Sequence, residues 1–233
     1  MILKIADFVI EVKSRWKYTY DFCKDYFYNG EEKPLFSVFA ENDKLEKEIK
    51  KSDNFPVEVV ENTCIYKDIC EKILDYDALM IHSAAISVDD WGYLFTADSG
   101  TGKTTHMNLW LDEFGERAKI INGDKPIIRK KDDGFYVYGT PWCGKEGNNT
   151  NMGVKIKGIS VLKRGKQNII NRMSKKNALI FLITQSPIPT DVKKADKMLS
   201  LIGEIVDEIP VFELYCNMEK EACRVSYEEM SKR

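Results

Sequence analysis

The sequence predicts an α/β fold with a mixed sheet, and three observations carry that expectation. Short runs rich in Ile, Val, Phe and Tyr, bounded by Gly, Asp and Pro, recur along the chain and read as strands. Two pairs of them flank turn-forming clusters, Asp89-Asp90-Trp91-Gly92 and Asp132-Asp133-Gly134, which is hairpin chemistry. Other stretches carry apolar residues three and four positions apart and read as helices. The chain has 233 residues, 43% of them hydrophobic, which is enough for a sizeable core and argues against disorder. That length fits one domain with an N-terminal extension. The boundary is expected near residue 77, with 1–77 an α+β extension packed on the core and 78–233 the main domain.

Taken in order, residues 1–12 alternate loosely (Ile2, Ile5, Phe8, Ile10, Val12) and read as one strand. Aromatic and charged residues crowd 13–60, with Tyr18, Tyr20, Phe22 and Tyr26 bunched together. Leu35 to Ala40 follows as a strand, and the charge run Lys44–Lys51 as a solvated helix face. Ile65, Ile69, Ile73 and Leu74 predict a helix over 65–76. Residues 78–97 read as a hairpin, with His82 in its first strand. A helix from Lys103 to Phe114 follows, then a strand at 118–121 and a hairpin pairing 127–129 with 135–138. A strand at 156–162, helices at 175–184 and 191–208, and a last strand at 212–216 complete the pattern.

Composition excludes several classes. Lys+Arg 35 against Asp+Glu 37 leaves a formal net charge of -2, without the basic excess a nucleic-acid binder uses to displace counterions. No apolar run reaches the roughly 18 residues of a membrane span. Asp7 falls where a secretory leader would carry its apolar stretch. The expectation is a cytoplasmic protein with no nucleic-acid or membrane partner. The six cysteines form no CxxC pair and only two histidines exist, so buried thiols are expected rather than a structural zinc site.

The most informative segment is Ala97-Asp98-Ser99-Gly100-Thr101-Gly102-Lys103-Thr104-Thr105, which follows an apolar strand and opens a helix. That is the context of a phosphate-binding loop, here with Ala97 in place of the first glycine of GxxxxGK[ST]. Gly100 and Gly102 permit backbone conformations that let N–H groups converge on phosphate oxygens. Ser99 through Thr105 would form that cradle, and the helix N-terminus favours the anion. Lys103 would reach the β and γ oxygens of a nucleoside triphosphate, and the Thr104 hydroxyl would bind Mg²⁺. Asp124, ending the next strand in Asn122-Gly123-Asp124-Lys125, would hold the metal or accept the proton of an attacking hydroxyl; a plain turn before Pro126 is the bland alternative. Lys145, in Gly139-Thr140-Pro141-Trp142-Cys143-Gly144-Lys145, could touch phosphate or simply belong to a turn around a packed Trp. Arg164 is a candidate for stabilising the transferred phosphoryl charge, against a solvated basic turn. His82 is a candidate catalytic residue, although a lone strand histidine is more often a core residue. His106 reads as a packing or capping residue.

These segments together resemble the HPr kinase/phosphorylase catalytic domain, and still more the bacterial HPr-kinase-like or phosphoenolpyruvate-carboxykinase-like proteins, over roughly residues 78–216. The resemblance implies that family's nucleotide-binding fold and an ATP- and Mg²⁺-dependent kinase of a serine hydroxyl. It maps the phosphate- and metal-binding roles onto Lys103 and Thr104, the general base onto Asp124, and the family's strand histidine onto His82. The family's acidic pair is here Asp124 followed by Lys125. The stretch that reads HPr as substrate is not recognisable, which turns the expected acceptor towards free serine, a serine-bearing peptide or a small protein. Decarboxylation is set aside, because the second nucleotide domain of true phosphoenolpyruvate carboxykinase has no room here. The rival readings are a nucleotide-binding regulatory or accessory protein with little turnover, and a phosphorylase or phosphatase running the transfer backward. A homo-oligomer is left open.

Overall fold

Ala6 and Asp7 adopt left-handed backbone, φ 53° and 60°, the two-residue turn whose twist matches a hairpin. The computed structural model describes residues 1–52, 54–98 and 100–232. This turn joins β1 (Ile2–Ile5) to antiparallel β2 (Phe8–Lys13). The single strand expected over 1–12 is therefore corrected to a hairpin, whose turn carries no glycine to announce it.

After α1 (Lys17–Phe22), β3 (Phe36–Phe39) runs parallel to β2, followed by α2 (Asn42–Ile49) and α3 (Val57–Lys72). The helix expected over 65–76 thus begins eight residues earlier, and its last turn, Ile73–Tyr76, is a 3₁₀ turn. Its extra turns are held by a buried charge. Glu61 is fully buried and accepts hydrogen bonds from Ser14 Oγ (2.5 Å) and from the backbone N–H and guanidinium of Arg15, the partners such a carboxylate needs.

The remaining elements are β4 (Ala78–Met80), β5 (Ala84–Val88), β6 (Trp91–Thr96), α4 (Lys103–Phe114), β7 (Ala118–Asn122), β8 (Ile127–Lys131), β9 (Gly134–Tyr138), β10 (Gly153–Arg164), β11 (Ile169–Arg172), α5 (Lys175–Thr184), α6 (Val192–Glu208), β12 (Val211–Cys216) and α7 (Glu221–Met230). The hairpin expected over 78–97 is corrected to β5–β6, turning at Asp89-Asp90 with φ 50° and 63°. β4 pairs instead with β8, and His82 and Ser83 lie in the link before β5. β11 and α7 have no counterpart in the sequence reading.

The main sheet is mixed, in the order β4-β8-β9-β10-β6-β5-β7, and β12 lies beside the second half of β10 with β11 beyond it. β6, β10 and β12 are parallel. β5 is antiparallel to both β6 and β7, so β7 also runs with β6. Four strands therefore end at one edge of the sheet, where β5 begins. The carboxyl ends of such strands are where α/β proteins gather binding loops.

The sheet curls so that the chain after β9 returns to β7. Thr150 N–H donates to Ile121 O at 3.0 Å. Gly139 sits at this closure, where a Cβ would stand 2.0 Å from the Thr150 carbonyl oxygen and 2.6 Å from that of Ile121. Trp110, Met107 and Phe95 form one core with α7 residues Cys223 and Met230. Leu182, Ile202 and Ile205 of α5 and α6 cover Leu94, Ile159 and Val161 in another. A third joins Leu3, Ile10, Ile65 and Ile69 to Ala78, Ile127 and Trp142, so residues on both sides of position 77 share one buried cluster. Among the described residues, no helix is long and apolar enough to cross a membrane. All six cysteines are thiols, five buried and Cys216 half-buried.

Candidate functional site

The segment between β6 and α4 turns tightly. Thr101 N–H donates to Asp98 O at 3.2 Å, and Gly100 and Gly102 take φ 75° and 120°, which side chains rarely adopt. α4 then starts at Lys103, with its first-turn N–H groups facing out of the helix ladder, as at every helix N-terminus. Lys103 Nζ lies 3.5 Å from Ala97 O. Ser99, expected in the phosphate cradle, lies outside the described residues.

Asp124 is presented by a built turn. Asn122 is fully buried, and its Oδ1 accepts the backbone N–H of Asp124 at 2.8 Å and of Lys125 at 2.7 Å, an Asx turn. Its Nδ2 donates to Thr140 O at 3.0 Å, and Thr140 Oγ1 donates to Lys125 O at 2.8 Å. Ser83 N–H donates to Asp124 O at 3.0 Å, drawing the β4–β5 link against this turn. His82 is fixed from three sides. Its N–H donates to Gln185 O, its carbonyl accepts from Thr96 Oγ1, and its Nε2 stands 2.9 Å from Asp124 Oδ1. A neutral His82 must carry its proton on Nε2 to make that bond. Lys125 Nζ lies 3.7 Å from Asp124 Oδ2 and 5.1 Å from the centre of the Tyr66 ring.

Burial pushes the Asp124 carboxyl up, but the His82 hydrogen bond and the charges of Lys125, His82 and Lys103 outweigh it and hold the group below the usual carboxylate range. Lys103 is shifted the other way. Burial lowers its ammonium below the usual lysine range, with Asp124 and Asp98 opposing the shift.

These groups surround a cavity of about 480 Å³ lined by His82, Gly100, Gly102, Lys103, Thr104, Thr105, Asp124 and Lys145. Eight expected site residues are thus brought together. A second cavity, about 370 Å³, shares Gly100, Gly102 and Thr105, and adds Thr101, Leu162, Arg164 and Met218. The structure places Thr101 and Arg164 there rather than in the first cavity, and Arg164 Nη2 donates to Gly100 O at 2.7 Å. Because β6 lies between β5 and β10 in the sheet, the first cavity faces the β5–β7 side of the loop and the second the β10–β12 side. His106 lines the second cavity from within the core, bonded through Nε2 to Ser226 and Trp110 and edge-on to Phe95. Burial pushes its pKa down to about 4, so at neutral pH it is an uncharged packing residue.

Sequence reasoning missed Cys143, Glu146 and Asn148, which complete the wall of the first cavity beside Lys145. The signal was the glycine pair around them: Gly144 and Gly147 take φ 84° and 68°, making a tight turn that aims this stretch at Asp124. Asn122 was also missed as the residue that presents Asp124, although Asn before Gly-Asp is Asx-turn chemistry.

For a divalent cation, the expected donors are the Asp124 carboxylate and the Thr104 hydroxyl, both in the first cavity, whose wall also holds Thr105 and Glu146. Among the described residues, no group of three or more His, Cys, Asp or Glu could hold a metal by itself. Two hard oxygen donors fit Mg²⁺, which keeps most of its shell as water and phosphate oxygen.

No model of a known protein family matches the sequence, and no curated protein matches it. Among solved structures, the HPr(Ser) kinase/phosphatase from Coxiella burnetii is similar to this chain, with a TM-score of 0.38 and 8% identity over 65% of this chain and 92% of that one. Functional inference therefore starts from the cavity itself.

Proposed function

We propose that this protein is an ATP- and Mg²⁺-dependent phosphotransferase whose acceptor is a serine hydroxyl, on a peptide, a small protein or free serine. The observation that carries this reading is one cavity in which Lys103 and Thr104, at the start of α4, share the space with the His82–Asp124 pair. The first arrangement suits a triphosphate tail, the second a hydroxyl that must lose a proton.

In this reading the loop amides and Lys103 hold the β and γ phosphates, and Lys145 adds positive charge from the opposite wall. Mg²⁺, held by Thr104 and, through a bound water, by Asp124, would neutralise charge between the phosphates. The serine oxygen forms its bond to the γ phosphorus while the bond to the bridging oxygen breaks and its electron pair leaves with the nucleoside diphosphate. The hydroxyl proton passes to Asp124, which stays ionised at neutral pH because its carboxyl is held low. His82, bonded to Oδ1, orients that carboxylate and leaves Oδ2 for the proton. Residues 1–77 act as an extension of the kinase-like domain at 78–233. Arg164 fixes the loop from the second cavity, and that cavity receives the nucleoside end of the donor, its apolar Leu162 and Met218 suiting a base.

The test is transfer of labelled γ-phosphate from ATP to free serine and to serine-bearing peptides, with Lys103→Ala as control. Transfer by the wild type and its loss in the variant are expected. The reading is overturned if calorimetry with Mg²⁺ and ATP or GTP registers no binding, or if the variant transfers as well as the wild type. A second reading, a nucleotide-binding regulatory protein with little turnover, is favoured by one observation: the ammonium of Lys125 lies 3.7 Å from Asp124 Oδ2 and competes for the carboxylate edge a base would use. Tight MgATP binding without transfer to any acceptor would select it.

A further inference from the structure

Residues 142–151 form a strap whose inner face walls the first cavity with Cys143, Gly144, Lys145, Glu146 and Asn148. Its outer face rests on the N-terminal seventy residues. The Trp142 ring lies 6.1 Å from Phe22 and 5.2 Å from Tyr66 between ring centroids. Asn151 Nδ2 reaches the carbonyl of Lys4 at 3.4 Å. Between these contacts stands one side-chain relay. The phenol of Tyr26, 1% exposed, donates to Asn149 Oδ1 at 2.9 Å, and Asn149 Nδ2 lies 2.9 Å from Cys143 Sγ. On the sheet side the strap is tied by Gly123 N–H to Asn148 O at 2.9 Å and Thr150 N–H to Ile121 O at 3.0 Å, with Thr140 Oγ1 standing 3.3 Å from Trp142 O. Gly123 adjoins Asp124, so a shift of the strap is a shift of the cavity on both walls.

The strap needs such a tie. Gly144 and Gly147 both sit at positive φ, and glycines leave the chain more conformational freedom to lose than any other residue. The relay removes that freedom by fastening Asn149 at both ends of its amide. We propose that Tyr26 is a positioning residue for the cavity, acting through Asn149 to set the strap that carries Lys145 and Glu146. The N-terminal extension is on this account part of the site's frame. The inference rests on the phosphotransferase reading for its effect on ligand, but the relay itself is independent of it.

Two variants test it. Tyr26→Phe keeps the ring in its core and removes only the hydroxyl, and Asn149→Ala removes the amide. Hydrogen exchange should quicken in the 142–151 peptide and at the Gly123 amide about fivefold or more, the equilibrium worth of one buried hydrogen bond, while peptides of β10 stay at the wild-type rate. In the same variants the MgATP dissociation constant should rise by a similar factor with kcat changed less. Adding Lys145→Ala to Tyr26→Phe should cost less than the two changes made separately, since both act on one contact. Unchanged strap exchange in both variants overturns the proposal, as does a rise spread equally over the whole chain. Additive losses in the double variant also overturn it. If the wild type binds no MgATP, the phosphotransferase reading falls, and the exchange data alone then decide the relay.

Discussion

The two cavities that share the β6–α4 loop differ in the charge of their linings. The one facing β5 and β7 is lined by ionisable side chains, His82, Lys103, Asp124, Lys145 and Glu146, and its carboxylate is tied by His82 and by the Asn122 turn. The one facing β10 and β12 holds Leu162, Cys216 and Met218, and its nearest cation, Arg164, is bonded to the loop carbonyl of Gly100. A loop with ionisable groups on one side and a less charged, mixed lining on the other suits a ligand that is itself divided, anionic at one end and flat and uncharged at the other. A nucleoside triphosphate is such a ligand. If the division is real, changes in the first cavity should affect transfer and phosphate binding together, and changes in the second should affect only affinity for the nucleoside end.

The largest effect is expected at Lys103. If Lys103 neutralises developing phosphoryl charge as proposed, Lys103→Ala should lower transfer about a thousandfold, with affinity for inorganic tripolyphosphate falling alongside that for ATP. A loss of ATP affinity without loss of tripolyphosphate affinity would break the assignment of the first cavity to phosphate. Next in size is Asp124→Asn, which keeps the side chain's shape and removes the proposed base. A loss of roughly a hundredfold or more in kcat is expected, with nucleotide affinity much less affected, measured by steady-state transfer and calorimetry on the same preparation.

The pH dependence follows from the same carboxylate. Its folded pKa lies below the unfolded value of about 4. The ionised form is therefore favoured by folding, and its contribution to stability is complete above that value and is lost as pH falls through the folded one. Transfer should show no acid limb from Asp124 between neutrality and about pH 4. His82→Ala removes the strongest of the influences that hold the carboxyl down, so it should move the acid limb upward while lowering kcat less than Asp124→Asn does. A limb that stays in place would show that His82 does not control the carboxylate.

The unequal legibility of the two cavities in the sequence has a physical basis. The phosphate-loop part of the first was readable because it is local in the chain: Gly100 to Thr105 form one run, and Lys103 opens α4 where the periodicity of Met107, Leu111 and Phe114 predicts a helix. The hairpin turning on Asp132-Asp133-Gly134 was readable because glycine marks the turn, whereas Ala6-Asp7 turns the chain through two left-handed residues with no glycine beside them and was read as continuous strand. His82 was identified as a residue but misplaced, because an apolar run from 78 to 88 gives no sign that β4 leaves to pair with β8. The second cavity was readable in its loop residues and in Arg164, but not in Leu162 and Met218. Leu162, Arg164 and Met218 come from the ends of two strands fifty residues apart, and only the parallel pairing of β10 with β12 brings them together. Cys143, Glu146 and Asn148 were lost for a related reason, since the curl that closes β9 onto β7 is long-range and leaves Gly139 as its one local trace.

The smallest effect tests the second cavity and sharpens the comparison most. Met218 is 75% exposed, so its thioether is accessible to a ligand in the second cavity. A base lying against it would bury apolar surface on the order of 40 Å², worth about 1 kcal/mol at ~25 cal/mol per Å². Met218→Ser should therefore weaken MgATP binding about fivefold, leave kcat at saturating ATP near the wild-type value, and leave tripolyphosphate binding untouched. Position 218 is exposed, so the change should leave folding intact, which an unchanged melting temperature checks. Equal weakening of ATP and tripolyphosphate would place the phosphates, rather than the base, against Met218 and invert the assignment of the two cavities. No change in ATP affinity would remove the base from the second cavity while leaving the chemistry of the first intact.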